Sequence, residues 1–238
     1  MTTKRTFKFL TGAILLILCL LFIIKFAGPN ILRQYISYGI GDCKTIPILC
    51  LQPEEKTLTP ELDKEYIDTL VPHKFPKMSI STPKGFGLVQ ELIKKKYYKK
   101  RQLDDGAIMY LLRQEPNAFI KLYPDVQKQG INDNYEFIRR LMNANLNKIN
   151  NITDAFFVIM KSIFTPDLGQ QCLCKMVNFE MGDKRGFINY TMAKPNNYFD
   201  CNVLDPKGNF FKVYIKDANG RLDLNNVFAI ISTLEPID

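Results

Sequence analysis

Histidine is almost missing from this chain, and that absence removes a large share of hydrolytic chemistry. The single copy, His73, stands in Val71-Pro72-His73-Lys74-Phe75-Pro76, between prolines rather than in an apolar run. A serine or cysteine nucleophile normally recruits histidine as its base, so one histidine in a connector reads as a surface residue. Also missing are a glycine-rich phosphate loop, a two-histidine zinc-protease helix and a dinucleotide fingerprint. No cysteines stand at C-x2-C spacing, so structural zinc is not expected. Together these absences point away from an enzyme, and no cofactor is expected. Acidic residues are likewise absent from positions 1–33, which carry Lys4, Arg5, Lys8, Lys25 and Arg33.

That asymmetry explains the net charge. The chain has 32 basic and 24 acidic residues, and removing the five N-terminal cations leaves 27 against 24. One cluster, Lys94-Lys95-Lys96-Tyr97-Tyr98-Lys99-Lys100-Arg101, supplies six more, so the remainder is slightly acidic, 21 against 24. A nucleic-acid-binding domain is basic over a broad face. Nucleic acid is therefore excluded as the expected partner.

What the N-terminus has instead is apolar length. Phe9 to Ile24 contains no charge, and extension to Phe7 and Ala27 gives about 21 residues, about 32 Å of helix against the roughly 30 Å hydrocarbon core. Lys8 and Lys25 then lie where their stems reach the head groups. A cleaved signal peptide is the competing reading. The following Lys25-Phe26-Ala27-Gly28-Pro29 lacks the paired small residues of a cleavage site, and Cys19 follows Leu18, unlike a lipoprotein signal. The expectation is a basic N-terminus at 1–6 and a transmembrane helix at 7–27. The short basic N-terminus favours the cytoplasm, which places the remaining chain in an extracytoplasmic space.

Residues 28–75 read as a juxtamembrane connector. Ile31, Leu32, Tyr35 and Ile36 have helical spacing, so the anchor helix is expected to continue briefly before Gly39-Ile40-Gly41 ends it. Five prolines follow, Pro47, Pro53, Pro60, Pro72 and Pro76. A short helix is expected with Thr59 as N-cap, Pro60 at its first position, and Leu62, Tyr66, Ile67 and Leu70 on one face.

From residue 76 to 238 the pattern is that of a soluble domain. Strands are expected at Met78–Thr82, Ala107–Leu112 and Ala118–Tyr123, with Gln90–Arg101 an insert of undetermined state. A helix follows, capped by Asp133 with Glu136 completing a capping box, and carrying Ile138, Leu141, Met142, Leu146 and Ile149. Strands are then expected at Ala155–Phe164, Cys172–Met181, Phe187–Met192, Tyr198–Leu204 and Phe210–Lys216. In the last two, Phe199, Cys201 and Val203 face one way, and Phe211, Val213 and Ile215 do the same across Pro206-Lys207-Gly208-Asn209. That is a hairpin. A closing helix bears Val227, Ile230, Ile231 and Leu234. This order gives an α+β class, an antiparallel sheet flanked by helices.

The layout of residues 76–235 resembles the PsbP-like fold group. The features that carry the resemblance are Ser79-Ile80-Ser81-Thr82-Pro83-Lys84-Gly85-Phe86, the long helix after the second hairpin, the run of antiparallel strands, and a terminal helix ending in Ile231-Ser232-Thr233-Leu234. The resemblance implies a sheet of about five to seven strands and a binding or assembly role rather than catalysis. The insert at Gln90–Arg101 and the membrane anchor depart from it, and it transfers no functional residue.

Two groups of side chains remain as candidate sites. Cys43 and Cys50 are spaced for a small disulfide loop in an oxidising compartment. Cys172 and Cys174 share one face of a strand and suit cross-strand partners better than each other, with Cys201 positioned to meet one of them. This trio reads either as a thiol site for redox or sensing work or as small buried hydrophobes. Lys94, Lys95, Lys96, Lys99, Lys100 and Arg101 read as a solvated face, as a contact for anionic lipid beside the anchor, or as a dock for an acidic protein.

Overall fold

A computed structural model describes residues 27–75, 77–84, 99–102, 108–165, 174–193 and 196–237, with 99–102 and 108 as backbone. Two compact units make up the chain. One comprises Met1–Cys50 and Ala144–Phe164, the other Leu51–Asn143 and Thr165–Asp238. The anchor expected at 7–27 lies outside the described residues up to Ala27. Among the described residues no helix is long and apolar enough to cross a membrane.

The first unit is helical. Helix α1, Gly28–Gly39, opens with Pro29 in its first turn and ends as Gly39-Ile40-Gly41 implies. Its inward residues Leu32 and Ile36 pack with Leu49, Leu146, Ile149, Ala155 and Val158. Arg33, the one charged residue of α1, is turned inward as well, and its guanidinium donates twice to the Ile149 carbonyl, at 3.2 and 3.0 Å.

The second unit holds two antiparallel sheets. Helix α2 (Lys64–Thr69), β1 (Val71–Lys74) and β2 (Met78–Thr82) lead to β3 (Lys99–Gln102) and β4 (Ile108–Gln114). Helices α3 (Ala118–Leu122) and α4 (Asn134–Asn143) follow, and the chain then forms α5 (Ile152–Phe164) in the first unit. Strands β5 (Lys175–Met181), β6 (Lys184–Ala193), β7 (Asn196–Leu204) and β8 (Phe210–Asp217) complete the large sheet. Helix α6 (Leu224–Ser232) and the two-residue β9 (Glu235–Pro236) close the chain. The large sheet runs β3-β4-β8-β7-β6-β5 and the small one β1-β2-β9.

The β7–β8 hairpin forms as its alternation implies. Phe199, Cys201 and Val203 join Phe211, Val213 and Ile215 in one core with Val227, Phe228, Ile230 and Ile231 of α6 and Ile80 of β2. Burying each large apolar side chain contributes about 1.5–3 kcal/mol before chain entropy is subtracted. The hairpin turns on Gly208 at φ +83°, with Asp205 accepting from the Asn209 amide at 2.8 Å. Gly186 of β6 is a place where a close approach excludes any side chain, since a Cβ there collides with the Asn202 carbonyl oxygen of β7.

Several expectations are overturned. Ala155–Phe164 is not a strand but most of α5. A continuous apolar run fits a helix buried on one side as well as a strand, and Asn151 decides it by accepting the Asp154 amide at 2.9 Å. Ala118–Tyr123 is not a strand either. Asn117 at φ +60° turns the chain out of β4, and Asn134 accepts the Phe119 amide at 3.2 Å to start α3.

The helix expected through Ile149 stops at Asn143. Leu141 and Met142 lie in the second unit, whereas Leu146 and Ile149 join the core of the first. One periodic pattern thus spans two packing environments. Asp133 does accept the Glu136 amide at 2.7 Å, but the Glu136 carboxylate accepts from Asn132 instead of Asp133.

The short helix in the connector begins at Lys64, capped by Asp63, rather than at Pro60. Leu58 is held extended against β5, donating to Asn178 and accepting from Glu180, both at 2.9 Å, so the chain cannot coil immediately after it. Residues 28–75 therefore carry α1, α2 and β1, and β1 belongs to the small sheet.

Candidate functional site

Sulfur chemistry divides sharply among the described cysteines. Cys43 and Cys50 are joined by a disulfide with Cα atoms 5.6 Å apart. The loop between them is shaped by Asp42, whose carboxylate accepts from the Lys44 and Thr45 amides at 3.0 and 2.9 Å. Hydrogen bonds from Thr45, backbone and side chain, hold the Asp42 carboxyl below its usual range. Cys174, half-buried ahead of β5, is also disulfide-bonded, and Cys172 lies outside the described residues.

Cys201 is a free thiol with no surface exposed. Of the two readings, a meeting with Cys172 or Cys174 is not the one Cys201 follows, since it is free and β7 places it opposite Ile188 and Val213. Burial pushes the Cys201 thiol well up, and the neighbouring Asp200 charge adds to the rise. A reactive thiol needs exposure and a lowered pKa. Cys201 has the reverse on both counts and behaves as a core hydrophobe.

Of the basic cluster, Lys94, Lys95 and Lys96 lie outside the described residues. The backbone of Lys99, Lys100 and Arg101 forms β3, an edge strand opposite Leu111, Tyr110 and Met109 of β4. His73 lies on β1 opposite Ile80.

The sheet face turned away from the main core holds residues that periodicity did not single out. Asn189 of β6, Asp200 and Asn202 of β7 and Lys212 of β8 are all buried there. Lys212 Nζ lies 2.7 Å from Asp200 Oδ1 and donates to Asn202 Oδ1 at 3.2 Å. Asn189 donates to the other Asp200 oxygen at 3.4 Å. Helix α4 packs over β6 and β7. Charges so matched are compensated rather than poised, and removing one partner leaves the other buried and costly. The signal was in the sequence, as polar residues at 200 and 202 between the apolar 199, 201 and 203. Alternation of that kind ordinarily marks a solvent face.

Beside it, where the β5–β6 turn meets the start of α4, lies a cleft of about 290 Å³ lined by Asp133, Tyr135, Asp183, Arg185, Asp205 and Gly208. The Arg185 guanidinium sits 3.6 Å from the centre of the Tyr135 ring. Asp133 is committed to the α4 cap and Asp205 to the hairpin turn, where it accepts from both the amide and the side chain of Asn209. Among the described residues no group of acidic, histidine or cysteine side chains is arranged to hold a metal ion.

Among the described residues, one exposed surface of the first unit is apolar. On α5, Ile152 is 78% exposed, Ile159 37% and Ile163 70%, with Phe156 half-buried between them. Spacings of four, three and four residues put these side chains on one stripe about 17 Å long. The opposite side of α5 is buried, including Lys161, whose ammonium donates to the Ala144 carbonyl at 2.8 Å. No protein-family model and no curated protein matches the chain.

Proposed function

We propose that this chain is a single-pass, membrane-anchored, non-enzymatic module that binds or assembles with another protein at the extracytoplasmic surface of the membrane. The observation that carries the reading is the α5 stripe of Ile152, Phe156, Ile159 and Ile163. Contiguous apolar surface of this kind marks an interaction site, and helical spacing over three turns suits a partner that accepts a helix in a groove. The stripe belongs to the same unit as Met1–Cys50, and so to the unit that the anchor begins. The Cys43–Cys50 disulfide and the oxidised Cys174 support an oxidising compartment. The resemblance to PsbP-like proteins adds a binding or assembly role to the same reading.

The test is the size of the full-length protein extracted from its native membrane in mild detergent. Ile159→Asp with Ile163→Asp lowers the apparent mass while thermal unfolding stays that of the unaltered chain. An unchanged mass overturns the reading. So does a turnover that one polar substitution abolishes without unfolding the protein.

A further inference from the structure

We infer that the outer stripe of α1, Ile31, Tyr35 and Tyr38, is seated in the interfacial layer of the lipid bilayer, so that α1 lies along the membrane surface where the anchor leaves it. The inference rests on reading Phe7–Ala27 as a membrane anchor, and it goes beyond that reading by assigning the surface that follows.

The three side chains are 61%, 77% and 95% exposed. They recur at four- and three-residue intervals and cover about 10 Å of one helix face. The rings of Tyr35 and Tyr38 put apolar surface in contact with bulk water, yet each ends in a hydroxyl. A ring with a wet end is the side chain enriched at the level of the lipid head groups.

Charge is arranged to suit. Helix α1 has one ionisable cation, Arg33, and it is drawn inward onto the Ile149 carbonyl, leaving the outer face with Asn30, Gln34, Ile31 and the two tyrosines. A surface helix facing only water ordinarily displays charge on that side. Covalent continuity then selects the occupant. The apolar run ends at Ala27 and α1 begins at Gly28, so Tyr38 stands no more than about 17 Å along the helix from the end of the anchor. Pro29, in the first turn of α1, lacks a backbone donor, so the junction permits the chain to change direction there.

The α5 stripe differs in kind. Its residues are isoleucine and phenylalanine, with no polar-ended ring, and they do not adjoin the apolar run in sequence. The two surfaces accordingly take different occupants, lipid for α1 and protein for α5.

The chain contains no tryptophan, so single tryptophans report without background. Full-length Tyr35→Trp, Tyr38→Trp and Phe22→Trp are reconstituted in phosphatidylcholine and phosphatidylglycerol vesicles. Each is quenched with lipids brominated at shallow or deep acyl positions and with aqueous acrylamide. The expected result is that Tyr35→Trp and Tyr38→Trp lose more emission to shallow bromolipid than to deep bromolipid or acrylamide, while Phe22→Trp is quenched most by deep bromolipid. If Phe22→Trp is quenched by lipid but Tyr35→Trp and Tyr38→Trp respond only to acrylamide, the inference fails and the anchor stands. Shielding of both from lipid and acrylamide alike means a protein covers the stripe and also overturns the inference. If Phe22→Trp is open to acrylamide and untouched by bromolipid, the anchor reading itself falls and takes the inference with it.

Discussion

Replacing Lys161 by methionine is expected to make the helical unit more stable at neutral pH and to remove a rise in stability expected of the unaltered protein as pH increases. Lys161 is wholly buried in α5, and burial pushes its pKa down from the ordinary 10.5 to about 7. One of its hydrogen bonds goes to the Ala144 carbonyl oxygen at 2.8 Å, and desolvation of the charged form is what lowers the pKa. A base whose folded pKa lies below its unfolded value binds fewer protons when folded. Stability therefore increases with pH between the two values, is fully penalised below about 7, and is free of the penalty above 10.5. The difference of roughly 3.5 units corresponds to about 5 kcal/mol at most. Between pH 7 and pH 9.5 the recoverable part is about 3 kcal/mol, or about 10 °C in melting temperature for a chain of this size. Methionine keeps length and volume close to those of the lysine stem and is neutral throughout. The assay is thermal unfolding of the full-length protein by circular dichroism in detergent at both pH values. The unaltered chain gains on going to pH 9.5, relative to Lys161→Met, by an amount of that order. Parallel pH dependences in the two proteins refute the reasoning.

Further substitutions probe the second unit and the disulfide loop. Asn134→Ala removes three bonds at once, donation to the Glu115 and Gly208 carbonyls at 2.9 Å each and acceptance from the Phe119 amide at 3.2 Å. It is expected to cost about 3 kcal/mol in denaturant unfolding. Gly186→Ala drives a Cβ into the Asn202 carbonyl and forces β6 from β7, with a loss of about 3 kcal/mol. Gly182→Ala, at φ +59° with open space around it, costs only about 1 kcal/mol of backbone strain. Melting temperatures of the two glycine variants should differ in that order. Removing the Cys43–Cys50 bridge by paired serine substitution frees an eight-residue loop and costs about 2.5 kcal/mol by loop-closure entropy, read from reducing and non-reducing unfolding curves.

The sheet was legible where one face of a strand is apolar and the other polar. Phe199-Asp200-Cys201-Asn202-Val203 states its strand and its core side in five residues. Legibility failed wherever a segment is apolar on more than one side. Ala155 to Met160 has the composition of a buried strand, and only the Asn151 cap separates it from one. The same limit hid the division into units, since Leu141 and Leu146 belong to one helical rhythm and yet to different cores. The Asp200–Lys212 pair was hidden by the opposite rule. Polar residues between apolar ones predict water, and burial of that face depends on helices distant in sequence. The stripe on α1 was legible as a helix from Ile31, Leu32, Tyr35 and Ile36. Which of those residues face inward was decided by Arg33 and the carbonyl of Ile149, 116 residues away.

The measurement that tests the account most directly is protease accessibility of the C-terminal domain in intact cells, or in spheroplasts where an outer membrane intervenes. The account predicts that protease added outside digests residues beyond the anchor while a cytoplasmic marker survives. Protection of the domain until the membrane is lysed would contradict it, since the domain would then face the reducing side.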